Sequence, residues 1–195
     1  MKMLEAHNIT KLFPGVVALD SVDVSFEPSE IHCIIGENGA GKSTLIKCLT
    51  GVYEPEEGEV LINGDDATKN KALFDKVAYV PQEIDLFGDM SVAENLFLPY
   101  KKSGIKGIVN QKELEKKAVP LLKKFRIPVK PDELVKDISV SSQQLLQIAR
   151  ATVHKEYEIL MLDEPTTSLT TSDTQVLFEI IKRVKEENKA VIFIS

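Results

Sequence analysis

The chain has 195 residues, of which 43% are apolar and 28% charged, with a net charge of −6. That length allows one substantial core, and the composition is that of a globular domain rather than a disordered or collagen-like chain. The acidic balance argues against a nucleic-acid-binding surface, and no apolar run reaches the length of a membrane span.

The start, Met1-Lys2-Met3-Leu4-Glu5, lacks the apolar core of a signal peptide, so the default compartment is the cytoplasm. Leu4 to Ile9 is a strand candidate, and Thr10 to Gly15 reads as a loop with Pro14-Gly15 as its turn. From Val16 to Phe26 the pattern alternates, with Val22, Val24 and Phe26 on one face and Asp23 and Ser25 on the other. Glu27 to Glu30 turns the chain into a short apolar run, Ile31, Cys33, Ile34 and Ile35, which reads as a buried strand.

The next stretch, Gly36-Glu37-Asn38-Gly39-Ala40-Gly41-Lys42-Ser43-Thr44, fits the phosphate-binding pattern G-x-x-x-x-G-K-[ST] at every fixed position. After it Leu45, Ile46 and Leu49 fall on one helical face. Strand, glycine loop and helix are the parts that aim backbone N–H groups and a helix N-terminus at one anion. The pattern points to a nucleoside triphosphate, with Lys42 placed for the β- and γ-phosphates, Ser43 for Mg²⁺ and Thr44 for the α-phosphate. Cys33 and Cys48 lie on this strand and helix, where they are expected to pack as small apolar groups rather than to form a bridge.

Farther on, Tyr53 to Gly58 is a loop, Glu59 to Ile62 a strand ending at an Asn63-Gly64 turn, and Lys76 to Val80 a strand stopped by Pro81. From Ser91 to Ser139 the composition shifts to Lys, Glu and Leu and reads helical. Ser91 and Glu94 make a capping box, and Leu114, Ala118, Leu121, Leu122 and Phe125 form an apolar stripe interrupted only by Pro120. The Lys-rich face opposite that stripe is expected to be solvated. Gln143 to His154 is a further helix, Glu158 to Leu162 a buried strand, Ser172 to Glu187 a long helix, and Ala190 to Ile194 a last apolar strand. The strand before Asp163 and Glu164 ends in two carboxylates, the place where an acid faces Mg²⁺ at a phosphate loop. Asp163 would hold the ion, and Glu164 would act as general base toward water.

Through the phosphate loop and Asp163-Glu164-Pro165-Thr166, nearly the whole chain resembles the ATP-binding subunits of ABC transporters. The resemblance implies an α/β P-loop NTPase core with an antiparallel β-subdomain and a helical subdomain, its C-terminal strands missing. It divides residues 1–195 into an ATP-binding core with the β-subdomain (1–90), a helical subdomain (91–139), and a signature helix with the acidic strand and last core strand (140–195). By the same resemblance, Gly36, Asn38, Gly39, Ala40, Gly41, Lys42, Ser43 and Thr44 bind nucleotide, Phe13 stacks on adenine, and Ser43, Gln82 and Asp163 serve the metal. Lys42, Gln82 and Glu164 carry the catalysis, and Ser139 donates from the signature segment to the phosphate of a partner domain's ATP.

Within the family the chain looks most like importers of ribose, xylose or galactose. This rests on Pro14-Gly15-Val16-Val17-Ala18-Leu19-Asp20, on the phosphate loop, on Ser91-Val92-Ala93-Glu94-Asn95-Leu96 and on Thr170. The resemblance implies ATP and Mg²⁺ as cofactors and a peripheral place on the cytoplasmic face of the membrane. Its partners would be integral membrane permease subunits, a second nucleotide-binding domain paired head to tail and, indirectly, a periplasmic or extracellular sugar-binding protein, with no nucleic acid. Two departures stand out. The signature usually reads Leu-Ser-Gly-Gly-Gln and here reads Ile138-Ser139-Val140-Ser141-Ser142, so a Cβ and hydroxyl at Ser141 crowd the approach to a partner's γ-phosphate. The family's switch histidine would follow Ser195, which marks the chain as a truncated N-terminal domain expected to bind nucleotide and hydrolyse it poorly. The alternatives are a non-transport ABC ATPase and a nucleotide-binding module without turnover.

Overall fold

Alternating stretches become strands and amphipathic stretches helices in a computed structural model, which describes residues 2–98, 110–153 and 156–195. Along the chain, β1 (Leu4–Phe13), β2 (Val16–Phe26) and β3 (Ile31–Ile34) lead into α1 (Lys42–Leu49). β4 (Glu57–Ile62), β5 (Asp65–Asp66) and β6 (Val77–Val80) follow, then α2 (Val92–Phe97), α3 (Gln111–Lys124) and α4 (Val140–Val153). β7 (Ile159–Asp163), α5 (Thr171–Glu186) and β8 (Ala190–Ile194) complete the order. The chain divides into two compact units: one runs to Gln82 and takes in β7 and β8, and the other begins at Glu83 and includes α2, α3 and α4.

In the first unit β2-β1-β4-β5 form an antiparallel sheet and β3-β8-β7-β6 a parallel one. Leu4, Ala6 and Ile9 of β1, Phe26 of β2, and Val60 and Ile62 of β4 share one core with Ile46, Cys48 and Leu49 of α1 and with Ile159, Met161, Ile192 and Ile194 of the parallel sheet. Val22 and Val24 pack on that core while Asp23 and Ser25 face out, as the alternation requires. Burial pushes the Cys48 thiol up to about 11, so it stays protonated and packs as an apolar group.

Three expectations change here. Thr10 to Phe13 is strand rather than loop: β1 continues to Phe13, paired with Val16 across a turn of only Pro14 and Gly15, and register shifts in β1 absorb the irregular stretch. The run Ile31 to Ile35 is not buried. Among the described residues β3 pairs only with β8, which leaves it at the sheet edge with Ile31 40% and Ile35 79% exposed. Cys33 on that strand is exposed too, so it does not pack as Cys48 does.

In the second unit Ser91 caps α2 with the expected box: its hydroxyl accepts from the Glu94 N–H, and the Glu94 carboxylate accepts from the Ser91 N–H at 2.8 Å. Ala118, Leu122 and Phe125 are buried on and just after α3, and Lys112, Lys116, Lys117, Lys123 and Lys124 are exposed. Asn95, wholly buried, is fully satisfied, accepting from the Phe87 N–H and donating to the carbonyls of Phe87 and Ser91. The stretch 91–139 is less helical than its composition suggests. Beyond α3 it runs as turns with one short 3-10 helix, and residues 99–109 lie outside those described. His154, placed at the end of the following helix, also lies outside them; α4 begins earlier than expected, at Val140.

Candidate functional site

Parallel strands send the residues after their C-terminal ends to one side of the sheet, which is where α/β domains bind ligands. Here those ends carry the phosphate loop after β3, Asp163 and Glu164 at the end of β7, and Gln82 just after β6. Val16, Val17 and Ala18 of β2, the loop from Glu37 to Thr44, Gln82 and Glu164 together line a cleft of about 490 Å³, a size suited to a small-molecule ligand.

The loop is shaped by its glycines. Gly41 has φ +86, and a Cβ there would come within 2.5 Å of the Ala18 carbonyl oxygen, so no other residue fits without moving β2. Gly41 is also the N-cap of α1, and it offers no side chain to the free N–H groups of the first turn. No acidic residue stands in that turn either, so the donors and the positive end of the helix are left for an anion. Lys42 adds a full charge, its ammonium donating to the carbonyl oxygens of Gly36 and Glu37.

The two carboxylates differ in environment. Asp163 is 4% exposed; its Oδ2 accepts from the Tyr79 hydroxyl at 3.4 Å, and its Oδ1 is buried without a hydrogen-bond partner. Burial first, and then the Glu164 charge, push the Asp163 carboxyl above the usual carboxylate range, opposed by Tyr79, Lys47 and the Ser43 hydroxyl. Burial and the Asp163 charge push the Tyr79 phenol up to about 12, so it keeps its proton and acts as the donor. Glu164 lies in the cleft wall with a left-handed backbone, φ 44, its N–H donating to the Ile194 carbonyl at 3.2 Å. Its Oε2 accepts from Gln82 Nε2 at 2.8 Å. Among the described residues no group of three His, Cys, Asp or Glu could hold a metal ion alone. A buried carboxylate oxygen without a partner beside a serine hydroxyl does suit a hard divalent cation that draws its remaining ligands from phosphate and water.

The structure thus brings Gly39, Ala40, Gly41, Lys42, Ser43, Thr44, Asn38, Gln82 and Glu164 to one cleft, with Asp163 beside Ser43. Phe13 is not among the residues lining the cleft: its ring meets Tyr53 edge-on at 5.6 Å, while Val16, its partner across the hairpin, and Val17 line it. Ser139 belongs to the second unit, where it caps α4; its hydroxyl accepts from the Ser142 N–H at 3.2 Å and donates to the Ser142 hydroxyl. The Ser141 hydroxyl donates to the Ser168 carbonyl at 3.4 Å within that unit. Tyr79 carries no motif, and the run that includes Val16 and Val17 gives no sign that they line the cleft; strand pairing brings all three to the site.

The sequence model of the family described as ABC transporter matches residues 19–167. The ribose import ATP-binding protein RbsA 1 of Agrobacterium fabrum is 40% identical over 99% of this chain, which covers 38% of that protein. RbsA 1 of Rubrobacter xylanophilus is 41% identical over 99% of the chain, which covers 39% of it. The putative ribose/galactose/methyl galactoside import ATP-binding protein 1 of Burkholderia cenocepacia is 38% identical over 99% of the chain, which covers 37% of it. The chain therefore spans about two fifths of the length of these relatives. Among solved structures, a dimeric bacterial ABC transporter cassette superposes with a TM-score of 0.85 at 26% identity, covering 99% of this chain and 88% of that one. A dimeric ATP-binding cassette in a post-hydrolysis state, bound to ADP and Pi, superposes with a TM-score of 0.83 at 26% identity over the same shares.

Proposed function

The chain belongs to the ABC transporter family of ATP-binding proteins, and from that premise we propose that it is the nucleotide-binding domain that binds and hydrolyses ATP to drive sugar import. The observation that carries this reading is the cleft itself, where the donors of α1 and Lys42 face Gln82 and Glu164 across a space of small-molecule size. The names of the relatives support sugar as the cargo.

In this reading the loop N–H groups and Lys42 hold the β- and γ-phosphates of ATP, and Thr44 holds the α-phosphate. Ser43 and Asp163, with Gln82 alongside, would hold Mg²⁺, which when bound offsets the charge of the phosphate oxygens. Glu164 accepts a proton from water as the water oxygen attacks the γ-phosphorus, the bond from that phosphorus to the bridging oxygen breaks, and ADP and phosphate leave. Gln82 donates to one oxygen of the Glu164 carboxylate and so helps to orient it. Phe13, on the hairpin whose Val16 and Val17 line the cleft, serves the adenine side, and Ser139 serves the ATP of a second nucleotide-binding domain paired head to tail. Closing and opening of that pair moves integral membrane permease subunits at the cytoplasmic face, fed by a sugar-binding protein. Without that partner the chain binds nucleotide and turns it over slowly.

The test is purification of the full-length protein from membranes. Co-purification with integral membrane subunits, and ATP turnover in their vesicles stimulated by a ribose- or galactose-type sugar, are expected. Recovery with ribosomes or DNA instead would contradict the importer assignment.

A further inference from the structure

We propose that Tyr79 is a positioning residue for the divalent cation of the nucleotide site, its hydroxyl anchoring one oxygen of Asp163 so that the other is presented to the ion. The proposal rests on the reading of the cleft as a metal–nucleotide site. Two observations carry it. First, β6 and β7 pair in parallel with Tyr79 opposite Met161 and Val80 opposite Leu162. Side chains alternate along a strand, so Tyr79 shares the sheet face of Met161 and Asp163 and leans toward the strand ends where the loop lies. Second, the phenol donates to Asp163 Oδ2 at 3.4 Å, and Oδ1 of the same carboxylate is buried with no hydrogen-bond partner. An unpartnered carboxylate oxygen on a residue 4% exposed is costly unless a ligand meets it.

The ordinary explanation of Tyr79 is packing, since its ring lies against the core of the first unit. Packing needs the ring and not the hydroxyl, so Tyr79→Phe separates the two roles. Groups that hold a metal's ligands in place set how well the ligands bind, and their loss commonly weakens the metal about tenfold or more.

The experiment uses Mn²⁺ as the probe. Mn²⁺ is titrated by electron paramagnetic resonance into the chain saturated with ADP, for the wild type and for Tyr79→Phe, and ADP affinity is measured separately in EDTA. The expected result is Mn²⁺ affinity about tenfold weaker in Tyr79→Phe, with metal-free ADP affinity and melting temperature unchanged. Mn²⁺ affinity within about twofold of the wild type would overturn the positioning role. Loss of metal-free ADP affinity in Tyr79→Phe would overturn it too, because the hydroxyl would then serve the loop as a whole. A wild-type chain that binds no ADP would instead sink the reading of the cleft on which the proposal rests.

Discussion

Glu164→Gln in the full-length protein is expected to lower ATP turnover at this site by about 10²- to 10⁴-fold, the usual contribution of a general base, while leaving ATP affinity within about threefold. An amide oxygen can still accept from Gln82 Nε2, so the contact made by the Glu164 side chain at 2.8 Å survives the change. The left-handed turn at Glu164 is a backbone property held by the bond from its N–H to Ile194, and it survives as well. Only the proton acceptor is lost. Single-turnover hydrolysis beside equilibrium ATP binding measures both quantities, and near-normal turnover with intact binding would place the base elsewhere.

Lys42→Ala should weaken ATP binding to the chain by about 1.5–3 kcal/mol, the range for a hydrogen bond to a charged group, or roughly ten- to hundredfold in Kd. Among the described residues lining the cleft, Lys42 alone carries a full positive charge, and its ammonium donates to two main-chain carbonyls of the loop. The fold should not suffer. Lys42 opens α1, Ala is a strong helix former, and the buried face of α1 is made by Leu45, Ile46, Cys48 and Leu49. Calorimetric titration gives the affinity and circular dichroism the fold; an unchanged Kd would remove Lys42 from the phosphate site.

The parts of the site that could be read from residues alone are those set by local chemistry. The loop from Gly36 to Thr44 carries its geometry in its spacing, because Gly41 must be glycine where it passes the Ala18 carbonyl. Asp163 and Glu164 were readable because an apolar run ends on them, and β7 is buried along its whole length. What depended on pairing was not readable. The edge position of β3 follows from which strand lies beside it, and its four apolar-leaning residues look the same in the centre or at the edge. Thr10 to Phe13 carries turn-like residues, yet pairing with β2 draws it into the sheet. Tyr79 reads as any strand tyrosine until the register with β7 puts it on the face of Asp163. The segment after α3 is rich in helix formers, but Pro128 and Pro131 cut it into turns.

Recognition of a chain of phosphates by this cleft is read out by calorimetric titration of the chain with ATP, ADP and adenosine in the presence of Mg²⁺. The orphan donors of α1, the loop and Lys42 all address phosphate, and among the described residues lining the cleft they are its main source of charge-assisted contacts. ATP and ADP should each bind once per chain, and adenosine should bind at least about a hundredfold more weakly, since it loses several charge-assisted contacts at once. Adenosine binding as tightly as ADP would mean that the cleft recognises the nucleoside and not its phosphates.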